Sequence, residues 1–197
     1  MTPQATDLLV NSSDETASRG LQQPTHPSAV SPDGSDSLSR QSQIKYVPAE
    51  TGAAYWGPGS RMTFLLTGKE TSDAFFLSEM SVPPGGGPPP HLHSREDESF
   101  HILEGTLTVQ VGGDTITASA GDLAFLPRGI VHSFKNNGDV TAKALVLITP
   151  AGLENYFAEV FDPAGDRTSA PAPPSRAMLA RAASAAPRYG LELLPPA

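Results

Sequence analysis

The 197-residue chain contains no cysteine, which excludes a disulfide framework, a thiolate-bound zinc, an iron–sulfur cluster and a cysteine nucleophile. Any metal must therefore be held by imidazole and carboxylate. Basic side chains are few, 13 against 21 acidic ones, and they form no run, so the net charge of -8 repels polyphosphate. Nucleic acid and anionic membrane surfaces are accordingly not expected as partners, and a small molecule is. Long apolar runs are also missing, and no basic N-terminal region is followed by an apolar stretch. The expected address is cytoplasmic.

What is present points to β structure. Twenty prolines and 18 glycines without a collagen period favour a turn-rich β architecture in one compact domain. Residues 1–45 have no aromatic side chain and are rich in serine, so they cannot bury enough apolar surface to offset ordering and are expected to be a disordered tail. From Arg61 onward, short β-rich runs are predicted at 61–67, 74–82, 98–105, 106–112, 114–118, 122–127, 130–134 and 140–149. In one of them Leu107, Val109 and Val111 share a face opposite Thr106, Thr108 and Gln110. Gly112-Gly113-Asp114 and Asn136-Asn137-Gly138-Asp139 are expected to turn hairpins. After Pro150, the spacing of Leu153, Tyr156, Phe157, Val160 and Phe161 predicts an amphipathic helix, capped by Thr149 with Pro150 in its first turn. Residues 163–175 read as a Pro/Ala linker, followed by a short helix burying Met178, Leu179, Ala182 and Ala183 and an extended tail. The predicted organisation is a tail over 1–45, a barrel with a C-terminal helix over 46–161, and linker, short helix and tail over 162–197.

Four of the five histidines fall within residues 91–132. His91 and His93 are one residue apart, so on a strand both imidazoles project from one face, close enough to bind one ion. A turn over Ser94 to Asp97 would return Glu98 beside them, adding an anionic oxygen suited to a divalent metal of borderline hardness, and His132 can arrive from a later strand. The first segment runs Gly85, five residues, His91, one residue, His93, four residues, Glu98, six residues, Gly105. The second runs Gly121, five residues, Pro127, one residue, Gly129, two residues, His132, three residues, Asn136. At every anchor these resemble the two motifs of the cupin superfamily. The resemblance covers roughly residues 46–161 and implies an all-β cupin jelly-roll barrel in which His91, His93, Glu98 and His132 bind one divalent transition metal ion (Fe, Mn, Ni or Co, with Zn as a further option).

Neighbouring residues have plainer readings. Glu96 and Asp97 read as solvated loop charges, and Arg95 as a solvated arginine that could steer an anionic substrate. His101, three residues past Glu98, should face the other side of its strand. Phe64, Phe76, Met80, Phe100 and Phe125 are candidate pocket walls or ordinary core. The stretches PPGGGPPPHLHSREDESFHILEG, LENYFAEVF and YGLELLPP resemble single-domain bacterial cupins described as quercetin 2,3-dioxygenase-like. That resemblance implies a metal-dependent dioxygenase acting with O2 on an enolisable or phenolic small molecule, with Glu98 as both ligand and catalytic base. A non-enzymatic binding or sensor cupin, and a metal-dependent isomerase or decarboxylase, are the alternatives. Exposed sheet edges lead to the expectation of a homodimer.

Overall fold

The protein is described here from a computed structural model covering residues 44–167 and 173–195. The expected N-terminal tail lies, up to residue 43, outside the described residues, as does the middle of the expected linker, residues 168–172.

The strands are β1 (Ala54–Gly57), β2 (Ser60–Leu66), β3 (Phe76–Val82), β4 (His91–His93), β5 (Asp97–Glu104), β6 (Thr106–Val111), β7 (Asp114–Ser119), β8 (Leu123–Leu126), β9 (His132–Lys135), β10 (Ala142–Thr149), β11 (Asp162–Pro163) and β12 (Leu191–Leu193). They form two antiparallel sheets, a larger one ordered β11-β1-β2-β3-β10-β5-β8 and a smaller one ordered β12-β4-β9-β6-β7. The period-two pattern puts one face of each strand inside. On β10 the buried positions are Ala142, Ala144, Val146 and Ile148, and on β5 they are Glu98, Phe100 and Ile102. Phe100 lies opposite Val146 at the centre of the larger sheet, both fully buried, and Leu107 and Val109 of β6 complete the core from the smaller sheet. Burying one such side chain stabilises the fold by roughly 1.5–3 kcal/mol.

The β6–β7 hairpin forms as expected, with Gly112 in the left-handed region at φ 57 and Val111 opposite Asp114. The turn at 136–139 does not make a hairpin. It joins β9 of the smaller sheet to β10 of the larger one. Asn136 is 1% exposed, and its Nδ2 donates to the carbonyls of Val82 and Val140, each at 2.8 Å, so it ties the two sheets together.

Helix α1 (Gly68–Thr71) is a single turn, and α2 (Leu153–Val160) carries the predicted apolar stripe. Its cap differs from expectation. Thr149 ends β10, and its hydroxyl donates to the Ala74 carbonyl at 3.0 Å, so helix entry falls to Gly152. The Glu154 carboxylate accepts from the Gly152 and Gly68 amides at 2.7 Å each, linking the starts of α2 and α1. In α3 (Arg176–Ala185), Met178, Ala182 and Ala185 are buried while Leu179 and Ala183 face outward, a correction to the predicted stripe. Ser175 caps it, accepting from the Met178 amide at 3.1 Å. A 3-10 turn over Ala186–Tyr189 then delivers β12, which pairs with β4, Leu191 opposite His93 and Leu193 opposite His91. The expected extended tail is thus a strand of the smaller sheet, and Asp162–Pro163 likewise pairs with β1.

Candidate metal centre

β4 has three residues, HLH, and strand alternation sends both imidazoles into the barrel. His132 opens β9 directly opposite His91. Glu98 is the first inward position of β5. The ring centroids of His91, His93 and His132 lie 4.4–5.1 Å apart, and one potential ligand atom from each of the four side chains lies within 4.8 Å of the others. His93, Glu98 and His132 are 2%, 6% and 2% exposed.

Hydrogen bonds outside the cluster fix the rings. The Nδ1 atoms of His91 and His132 lie 3.0 Å from the carbonyls of Pro89 and Ile130. A carbonyl only accepts, so each Nδ1 carries the proton and each neutral ring keeps a lone pair on Nε2. Glu98 Oε2 and His132 Nε2 are 3.4 Å apart, and both are buried without a hydrogen-bond partner, as is His93 Nδ1. Each such buried polar atom costs about 1–3 kcal/mol when unsatisfied. A cation among them would remove much of that cost, so the donor set fits a divalent metal.

Electrostatics favour the protonation states that ligation needs. Burial, reinforced by the neighbouring charges of His132 and His93, pushes His91 down to about 4, and burial pushes His93 down as well. Burial alone would raise the Glu98 carboxyl. Its interaction with His132 and its proximity to the three imidazoles outweigh that and hold it below the usual carboxylate range. Neutral imidazoles beside an ionised carboxylate are the metal-binding forms.

The surroundings correct several expectations. Glu96 is not solvated: it is 4% exposed, its Oε2 has no hydrogen-bond partner, and burial raises its pKa. The C-terminal segment covers this turn, Ser94 donating to the Gly190 carbonyl from both its amide (2.8 Å) and its hydroxyl (2.9 Å). Asp97 accepts from the Arg128 amide (2.9 Å), Nε (3.1 Å) and guanidinium Nη2 (2.7 Å), and those bonds bring its pKa down to about 2. This clamp ties β5 to the loop that precedes His132. Arg95 is exposed, as expected. His101 faces outward, as expected, between Leu123 and Leu145. Phe125 is 54% exposed and does not line the cavity beside the cluster, whereas Phe64, Phe76 and Phe100 are core. Met80 does line the cavity beside the cluster, which offers about 70 Å³ and is walled by Met62, Phe134, Phe157, Phe161 and Leu191 as well. Among the described residues, no lysine or arginine lines it. Phe157 and Phe161 were legible as a helix stripe but not as pocket wall, and Leu191 carries no local signal at all.

Residues 78–148 match a family model described as a cupin domain, a span that holds all four clustered side chains. The chain is 42% identical over 74 residues to Germin-like protein 5-1 of Oryza sativa subsp. japonica, covering 35% of this chain and 34% of that protein. It is 30% identical over 95 residues to Quercetin 2,3-dioxygenase of Bacillus subtilis (strain 168), covering 48% of this chain and 28% of that protein. The matches thus span about a third of these relatives' length. Among solved structures, a predicted oxalate decarboxylase from Thermotoga maritima superposes with a TM-score of 0.50 at 24% identity, over 54% of this chain and 99% of that one, a likeness of fold. The two sheets, their antiparallel order and these matches together make the fold an all-β jelly roll of the cupin kind, of which residues 78–148 match the cupin domain model.

Proposed function

We propose that this protein is a metal-dependent dioxygenase, similar to quercetin 2,3-dioxygenase in acting with O2 on an enolisable or phenolic small molecule. The observation that carries this reading is Glu98: a buried carboxylate with one unpartnered oxygen, set among three imidazoles and open to an apolar cavity. His91, His93, Glu98 and His132 would hold the ion, which supplies Lewis acidity toward a hydroxyl oxygen and a redox-active centre for O2.

The chain's own contribution is positional and acid–base. The Pro89 and Ile130 carbonyls orient two of the imidazoles. Glu98 Oε2 accepts the proton from the substrate hydroxyl, leaving the electron pair on the substrate oxygen. Met62, Met80, Phe134 and Phe157 exclude water and contact an apolar substrate body. With no lysine or arginine among the described lining residues, the cavity favours a neutral compound over a phosphate or dicarboxylate. Its ~70 Å³ lies well below the roughly 300–1,000 Å³ typical of ligand pockets, so a compact enolisable compound fits directly while a flavonol requires Phe157, Phe161 or Leu191 to swing aside. An isomerase or decarboxylase would need a second proton carrier. His101, the remaining imidazole among the described residues, lies on the outside of the larger sheet, which disfavours that reading.

The test is metal analysis of the purified protein followed by oxygen-electrode assays with β-diketones, catechols and flavonols under Fe, Mn, Ni and Co. Oxygen uptake with an enolisable substrate supports the reading. Bound metal with no uptake for any of them replaces it with a binding protein.

A further inference from the structure

Among the described residues, five of those lining the cavity beside the candidate metal cluster are partly exposed and so form its rim: Pro58, Pro88, His91, Phe157 and Phe161. Four are held in place. Pro58 sits in a turn packed glycine against glycine on the 85–87 loop, where a Cβ on Gly59 would collide with the Gly87 backbone and one on Gly86 with the Gly59 carbonyl. Pro88 continues that loop. The His91 ring is tied to the Pro89 carbonyl at 3.0 Å, and Phe157 is wedged between Phe76 and Phe161, with centroids 6.0 and 5.1 Å away. Phe161 is built differently: its backbone is pinned and its ring is not. Its amide donates to the Phe157 carbonyl at 2.9 Å, and Arg181 Nη2 holds the residues on either side, donating to the Val160 carbonyl at 3.0 Å and the Asp162 carboxylate at 2.7 Å. From this anchor the ring reaches to Gly57 and fills the space that a Cβ there would need. Gly57 does not have the positive φ that calls for glycine, so the close approach of the ring is what requires the missing side chain.

We propose that the Phe161 ring is the gate of this cavity and the residue that sets the size of compound it admits. Seated on Gly57, the ring leaves a cavity of about 70 Å³, which only a compact compound enters. Swung off Gly57, it opens the mouth to a planar, multi-ring one. The swing uses side-chain torsions alone and breaks no hydrogen bond, because the seat is a glycine and the ring is apolar. Leu191 cannot serve in this way, since it is buried on a strand paired with β4 and lies off the rim. Beyond the gate, Met62 and Met80 face each other across β2 and β3, and Phe157 stands on the rim, so a planar ring that enters meets thioethers and an aromatic face. Both kinds of contact favour an aromatic body over an aliphatic one of equal area. That the admitted compounds are substrates rests on the dioxygenase reading, whereas the gate rests on the geometry of the rim.

Diethyl pyrocarbonate, which modifies neutral imidazole, reads access in metal-free protein without any turnover. His101, exposed outside the larger sheet, is the internal reference. In Phe161→Ala, His91 and His132 should be modified at least tenfold faster relative to His101, at unchanged circular dichroism. Phe161→Trp, a larger ring on the same anchor, should be modified more slowly than wild type. Gly57→Ala, which takes the seat of the ring, should speed modification in the wild type and add nothing in Phe161→Ala. A ring that merely supports the fold gives faster modification in Phe161→Ala and Phe161→Trp alike, and that result overturns the gate, as do equal rates in all variants. With a metal that supports oxygen uptake, Phe161→Ala should raise the ratio of kcat/KM for a flavonol over a β-diketone at least tenfold, and an unchanged ratio overturns Phe161 as the size-setting residue. If modification follows the gate while no compound consumes O2, the dioxygenase reading falls and the gate stands.

Discussion

Two neighbouring regions of the barrel interior are built by the same strands and behave oppositely. On β5 the inward positions run Glu98, Phe100, Ile102, and on β9 they run His132, Phe134. One step of the strand period separates a buried polar member of the candidate metal cluster from a buried aromatic, and Phe100 and Phe134 meet edge to face, their centroids 5.2 Å apart. The packed region gains from every neighbour it touches. The candidate ligand region instead holds a carboxylate oxygen and two ring nitrogens without hydrogen bonds, a cost the fold sustains and a cation would offset. The same jelly roll thus stores stability in one half and spends it in the other, and substitutions should separate the two.

The largest separation should come from His93→Ala and His132→Ala, in which metal content measured on purified protein falls to a small fraction of an equivalent. Retention of a full equivalent in both variants would break the comparison. Phe100→Ala tests the other side. It should lower unfolding free energy by about 3–5 kcal/mol in denaturant titrations while each folded molecule keeps its metal. Glu98→Gln keeps the shape and an oxygen ligand but removes the base. It should retain appreciable metal and lose on the order of 10²–10⁴ in turnover of whichever enolisable substrate the wild type oxidises. Equal turnover would reduce Glu98 to a ligand alone.

Acid should act on the ligand region first. His91 sits at about 4 in the folded chain against 6.5 for a free imidazole, so between these values the unfolded chain binds a proton that the native one refuses. Metal-free protein should therefore lose stability as pH falls from about 6.5 to 4, by on the order of 3 kcal/mol from this group, and gain nothing above that window. Thermal melts of the metal-free protein across pH check this. The smallest effect should be that of Asp97→Asn, which removes an exposed clamp to Arg128. Its melting temperature should move little, and only below about pH 4 should wild type converge on it, as the carboxyl protonates on the way down to its folded value of about 2.

Much of this was legible in the sequence because period-two alternation and motif spacing are local. His91 and His93 had to share a face, and Leu107 and Val109 had to point inward. Glu98 and His132 were legible through the spacing of glycines and proline around them. What escaped was non-local. Glu96 reads as a loop charge until a segment some ninety residues later covers its turn. Leu191 becomes a cavity wall only because β12 pairs with β4. Thr149 resembles a helix cap until the Ala74 carbonyl, far off in sequence, takes its hydroxyl. The 136–139 turn has hairpin chemistry, and only the strand order reveals a crossing between sheets.

The pairing of β12 with β4 also has a consequence in time. The β6–β7 hairpin closes over a two-residue loop, whereas the strand bearing His91 and His93 is held by contacts such as Ser94 to Gly190, 96 residues apart in sequence. Contacts of such separation have a high loop-closure cost and form late relative to local hairpins. The imidazoles of β4 should therefore reach their final places only after most of the sheet has condensed. Cobalt added to refolding chains should then report, through its visible ligand-field bands, the last step of folding rather than the first.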